Sequence, residues 1–138
     1  MALALFVTLE RELPAERAAY VKAGQGKALA RESDRLDTAA RAAGVTAITS
    51  LLSENPEKLA EQLRADGFDP AKMRLPAEQW FSAAEGLKTV RGLAGHVGVK
   101  LNDFKQPHPI LRDLKSAEAL LAAAERAGVR FHFTKADV

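Results

Sequence analysis

The stretch LALFVTLE, residues 3–10, decides how this chain is read. Leu3, Leu5, Val7 and Leu9 fall on one side of an extended segment, and Ala4, Phe6 and Thr8 on the other. A period of two marks a strand, and apolar residues on both sides predict cover on both faces. Such a strand is expected in a central position, with a neighbour on each edge. The best second strand lies at the far end of the sequence. In VRFHFT, residues 129–134, Val129, Phe131 and Phe133 alternate with Arg130, His132 and Thr134. The two terminal segments are therefore expected to pair.

Between them the pattern is helical. Pro14 suits a first helical turn, with Glu16 near its positive end, and a helix is predicted over 14–23. Gly24 and Gly26 interrupt it, and a second helix is expected over 27–43. Asn55 and Pro56 read as cap and first residue of a helix that stops at Gly67. PAEQWFSAAEGLKTVRGLAGHVG, residues 76–98, is the longest helix-like segment. Its apolar stripe runs through Trp80, Ala84, Leu87, Val90, Ala94 and Val97. Gly86, Gly92 and Gly95 weaken that helix but permit close approach of another backbone, of the sheet or of a second subunit. NDFKQPHPILRDL, residues 102–114, reads as a loop, and Ser116 as the cap of a last helix. Two helices leave through the same Ala-Gly-Val, at 43–45 and 127–129, which is ordinary chemistry for a helix end. After the first of these, a β-branched run extends from Val45 to Leu52. The fold class is α+β: a small sheet holding both terminal strands, packed by about five helices, in one globular domain over residues 1–138.

Composition narrows the function. The chain has 138 residues, 47% hydrophobic and 28% charged, as in ordinary soluble proteins. No apolar run approaches the roughly 20 residues needed to span a bilayer, so no membrane association is expected. The first residues lack a basic segment and read as a strand, not a signal peptide. The sequence contains no cysteine, which excludes disulfides, thiolate metal sites and a cysteine nucleophile. A reducing cytoplasm fits that composition. The compact, Ala-rich style is bacterial in character. Formal net charge is +2. Residues 1–85 carry 11 Lys and Arg against 13 Asp and Glu, whereas residues 86–138 carry 9 against 5. The basic second half could face an acidic partner.

The Gly-Gln-Gly-Lys run at residues 24–27 raises the question of a bound phosphate. A Walker loop with Gly26-Lys27 at its end would need Gly where Val21 stands and Ser or Thr where Ala28 stands. Leu29 breaks the dinucleotide pattern in the same way. Nucleotide binding is not expected there. His96, His108 and His132 match no metal-ligand spacing, so neither metal nor cofactor is expected. No Gly-x-Ser-x-Gly elbow is present. Lys88, Arg91, Lys100, Lys105, Arg112 and Lys115 form a modest basic set without a nucleic-acid-binding signature, and nucleic acid is not expected as a partner.

The expected working surface is the helix around residues 80–96 and the loop that follows. Adjacent Trp80 and Phe81 would diverge by about 100° on a helix, placing one at the core margin as an interface anchor. Glu78, Ser82, Glu85 and Lys88 would share a polar face, with Arg91, His96 and His108 beyond it. The sequence thus reads as a small cytoplasmic protein-interaction domain of regulator, adaptor or toxin-neutralising type, with a protein partner or a second copy as ligand. The alternative is a small enzyme or ligand-binding domain using Glu85, His96 or His108 with nearby Lys and Arg.

Overall fold

The computed structural model describes residues 2–138. Two strands, β1 (Leu3–Leu9) and β2 (Phe131–Asp137), form an antiparallel sheet. Between them lie α1 (Pro14–Lys22), α2 (Lys27–Arg31), α3 (Ser33–Ala43), α4 (Pro56–Ala65), α5 (Ala83–Val99) and α6 (Pro107–Ala127). The fold is α+β, as expected, with the first and last strands paired.

The register sets Leu3 opposite Asp137, Thr8 opposite His132 and Leu9 opposite Phe131. Leu5, Val7, Phe131 and Phe133 point to one face and are buried against the helices, where Phe131 and Phe133 meet edge to face at 5.5 Å. The other face carries Phe6, Thr8, His132 and Thr134.

The sequence places β1 in the middle of the sheet, but β2 takes that position. Phe131 exchanges two backbone hydrogen bonds with Phe81, at 2.8 and 2.9 Å, and Phe133 bridges to Leu52. The outer edge of β1 meets no strand. Leu5 donates its N–H to Gly26 O, and Val7 donates to the buried Tyr20 hydroxyl at 3.0 Å. Both edge amides are thereby satisfied by the α1–α2 corner. That approach is so close that a methyl group at Gly26 would overlap the Leu5 carbonyl, and Gly26 has φ of 80°. The run expected to be one helix over 27–43 breaks at Glu32, whose φ of −124° is not helical.

Two buried carboxylates explain that break. Glu32 accepts hydrogen bonds from Lys105 N at 2.6 Å and Gln106 N at 3.0 Å, capping the start of α6 from a distance. Asp113, on α6, accepts from Ala28 N at 2.8 Å at the start of α2. Glu32, between α2 and α3, thus holds the approach to α6, while Asp113 of α6 holds an amide in the first turn of α2. This is also what the Gly-Gln-Gly-Lys turn does: an anion-seeking amide there is used by Asp113 of the same chain.

The remaining boundaries differ from the expected ones for local reasons. α6 begins at Pro107, nine residues before Ser116, because Glu32 fixes the two amides just before it and the prolines at 107 and 109 suit a first turn, whose amides would have no helical partner. Ser116 lies inside the helix and bonds Asp113 O. His108 is accordingly helical, not in a loop. Gly44 and Gly128 end their helices alike, with φ of 71° and 68°, and the next residue bonds back to Ala40 and Ala124. Only the second exit leads into a strand, since 48–51 turn as a 3₁₀ helix. The α5 glycines admit side chains where a backbone was expected, and only two of the three are used, with open space beside Gly95. A Cβ at Gly86 would lie 2.5 Å from the Phe131 ring, and one at Gly92 2.7 Å from Val45. The helix therefore packs directly on the sheet and on the α3 exit.

Gly26→Ala should destabilise the fold by about 3 kcal/mol or more, since strain at positive φ adds to a backbone clash. Gly44→Ala has the same strain but open space around it, and should cost about 1 kcal/mol. Chemical denaturation of both variants measures the difference. Glu32→Gln tests the strap. Burial raises the Glu32 pKa, but hydrogen bonds from Lys105, Gln106 and Arg35 outweigh it, and the net value is lowered. Its contribution is therefore present above the unfolded-state pKa and lost as pH falls through the folded value. The variant should lose about 2 kcal/mol near neutrality, and the gap should close in acid.

Candidate functional site

The second face of the sheet is not sealed by a helix. Phe6, Thr8, His132, Thr134 and Ala136 form the floor of an open groove of about 800 Å³. Its far wall is α4, which presents Asn55, Lys58, Leu59 and Gln62, spaced as one helical side. No residue of α4 is buried. Asn55 caps that helix by accepting from Glu57 N and Lys58 N. Glu78 and Trp80 close one end.

A connected polar chain runs across the floor. Thr8 Oγ1 and Thr134 Oγ1 are 2.6 Å apart. Thr134 Oγ1 lies 3.3 Å from His132 Nδ1, and His132 Nε2 lies 2.7 Å from Glu78 Oε2. The indole of Trp80 covers the imidazole at 4.7 Å between ring centres, tilted by 43°. Pairing of the terminal strands brings Thr8, His132 and Thr134 together, and the Phe81–Phe131 bridge delivers Glu78 and Trp80 to them.

Hydroxyl, imidazole and carboxylate in line resemble the parts of a nucleophilic triad. The geometry assigns them another task. His132 is only 1% exposed, and Nδ1 is closer to Phe133 O, at 3.0 Å, than to the Thr134 hydroxyl. The Thr134 hydroxyl is itself shared with Thr8. A general base must reach a substrate proton, and both imidazole nitrogens here already face protein oxygens. His132 acts as a clamp that holds the 78–81 segment on the sheet. Glu78 is the reachable member, with 20% of its side chain exposed and one oxygen, Oε1, without a protein partner among the described residues.

The residues singled out from sequence are placed differently from expectation. Trp80 and Phe81 precede α5, which starts at Ala83 with Ser82 as its cap. The proposed face of Glu78, Ser82, Glu85 and Lys88 is therefore not a helix face. Phe81 is half-buried against Phe131 at 6.4 Å. Glu85, Lys88 and Arg91 lie exposed on α5, and Arg91 reaches Glu118 at 3.7 Å. His96 lines a shallow hollow with Arg35, Thr38 and Phe104. His108 is exposed in the first turn of α6. Glu85 and His96 are 11 positions apart on one helix, hence about 16 Å. Of the residues singled out for the working surface, only Trp80 and Glu78 line the groove, and the sequence places Glu78 on a helix face instead. The His132–Glu78 pair was missed because its members are 54 residues apart. Its available signal was polar Thr8, His132 and Thr134 at alternate positions of two strands expected to pair. Among the described residues, no group of three or more His, Cys, Asp or Glu is arranged to hold a metal ion, and no helix is long and apolar enough to cross a membrane.

A double-mutant cycle on Glu78→Gln and His132→Ala should give a coupling of about 1–3 kcal/mol. His132→Ala should also shift Trp80 fluorescence to the red, because the indole loses the ring it rests on. A coupling near zero would mean that the pair does not clamp the segment.

No family model, curated protein or solved structure matches the chain.

Proposed function

We propose that this chain is a small binding domain that acts by non-covalent recognition of a small organic molecule in the groove between the sheet and α4. One observation carries the reading: a groove of about 800 Å³ combines apolar surface with a fixed, partly open carboxylate. Sites of this kind mix an apolar lining with a few positioned polar groups, and the volume suits a compact ligand. The clamped His132 supports binding over catalysis. The cysteine-free composition supports a reducing, cytoplasmic setting.

A protein partner is the second reading, and a different feature favours it. Val99 is 80% exposed at the end of α5, with Leu101 just beyond and Lys100 between them. Apolar residues beside a cation, on the basic half of the chain, suit an acidic partner with an apolar anchor. Val99→Asp should abolish such an interaction and leave the fold unchanged.

Fragment screening followed by amide shift mapping separates the two. On the groove reading, bound fragments perturb Thr8, His132, Thr134 and the Trp80 indole, and Trp80→Ala lowers affinity at least tenfold. Hits confined to residues 96–104 would favour the partner surface and refute the groove.

A further inference from the structure

We infer that the groove selects a molecule carrying a primary ammonium group beside an apolar or aromatic body, with Glu78 as the acceptor of the ammonium. This inference rests on the groove being the binding site and adds the ligand's chemical class.

Glu78 is the one charged group of the groove held in place by a buried partner. Its Oε2 is fixed by His132 Nε2 at 2.7 Å, its side chain is 20% exposed, and Oε1 has no protein donor among the described residues. A carboxylate only accepts hydrogen bonds. Whatever meets it must therefore donate, and an ionised donor forms the shorter and stronger bond. Because the acceptor is already positioned, binding does not have to order it.

The other charges of the groove offer no competing anchor. Lys58 and Lys135 are exposed and carry long flexible stems, while Glu54 and Asp137 are exposed carboxylates of opposite sign. Glu10 is already bridged by Arg130. An anionic ligand would thus meet a fixed carboxylate and only mobile cations. An ammonium meets the fixed carboxylate and, next to it, an indole whose face attracts cations. Phe6 and Leu59 provide the apolar surface on which the ligand's body would rest.

Three matched probes test the assignment: 2-phenylethylamine, 2-phenylethanol and 3-phenylpropionate. Trp80 is the only tryptophan, so its fluorescence reports directly on the site. The amine should perturb it saturably and bind at least tenfold tighter than the alcohol or the acid. Glu78→Gln should reduce the amine to the affinity of the alcohol. Should that variant fold poorly, Lys58→Glu provides an independent measure on an exposed residue. It should tighten amine binding about two- to threefold at low salt, with the gain lost at high salt. If all three probes perturb Trp80 and the Thr8 and Thr134 amides equally, the groove stands as a site and the ammonium assignment is overturned. The same holds if the acid binds best or Lys58→Glu has no effect. If no probe perturbs these residues, both the assignment and the groove reading fail.

Discussion

Everything in this fold depends on the ladder that joins residues 2–10 to residues 130–138. It closes a loop of about 120 residues, at an entropic cost on the order of 4 kcal/mol beyond a constant. Two strands alone are only marginally stable. What offsets the closure is the side-chain burial that the pairing creates. Leu5, Val7, Phe131 and Phe133 are each 1% exposed or less, and each contributes about 1.5–3 kcal/mol. β2 gains most because it is central: Phe131 meets Phe81 on one side and Leu9 on the other, with Gly86 of α5 against its ring. Without a small residue at 86, α5 could not lie on the sheet.

The second organising element is the exchange of carboxylates between α2 and α6. Glu32 and Asp113 do the same job with different electrostatic outcomes. Glu32 receives two strong amide bonds and an arginine, and its pKa falls. Asp113 is more deeply buried, and that burial outweighs its amide bonds and nearby Arg112 and Arg31, so its pKa rises. Its Oδ1 is the one buried side-chain polar atom without a partner among the described residues. A raised carboxyl pKa means that this group's share of stability is present in acid and lost as pH rises through the folded value. The two straps therefore oppose each other in pH, and acid should loosen the α6 entrance before it loosens α2. Asp113 is retained despite that cost because the turn at residues 24–28 holds an inward amide that only an acceptor can satisfy.

The sequence made the terminal strands legible because their alternation is local and both carry large apolar side chains. Pairing followed from there being few other strands. Helix ends marked by Gly44, Gly128, Asn55 and Pro56 were legible for the same reason: caps are local chemistry. What was not legible came from distance. Nothing near Pro107 announces that a carboxylate 75 residues earlier will cap it, so the helix start was expected too late. Trp80 fits a helical stripe by spacing, but the backbone bonds of Phe81 with Phe131 hold it extended, and tertiary pairing overrides helical spacing. The groove was hidden for a related reason. Its floor combines residues from both ends of the chain with Glu78 and Trp80 from the middle.

That floor also explains why α4 stays loose. Thr8, His132 and Thr134 make the second sheet face polar, and α4 answers with Asn55, Lys58 and Gln62 instead of an apolar stripe. A dry helix–sheet contact would need apolar residues at both sets of positions, and Leu59 alone does not supply it. The main apolar core lies on the other face, with Leu5, Val7, Phe131 and Phe133. On that open face the buried His132 holds the Glu78 carboxylate and the Trp80 indole in place. If the groove is the binding site proposed above, a floor fixed by these contacts beneath a helix with no buried residue is the arrangement expected where a ligand has to enter.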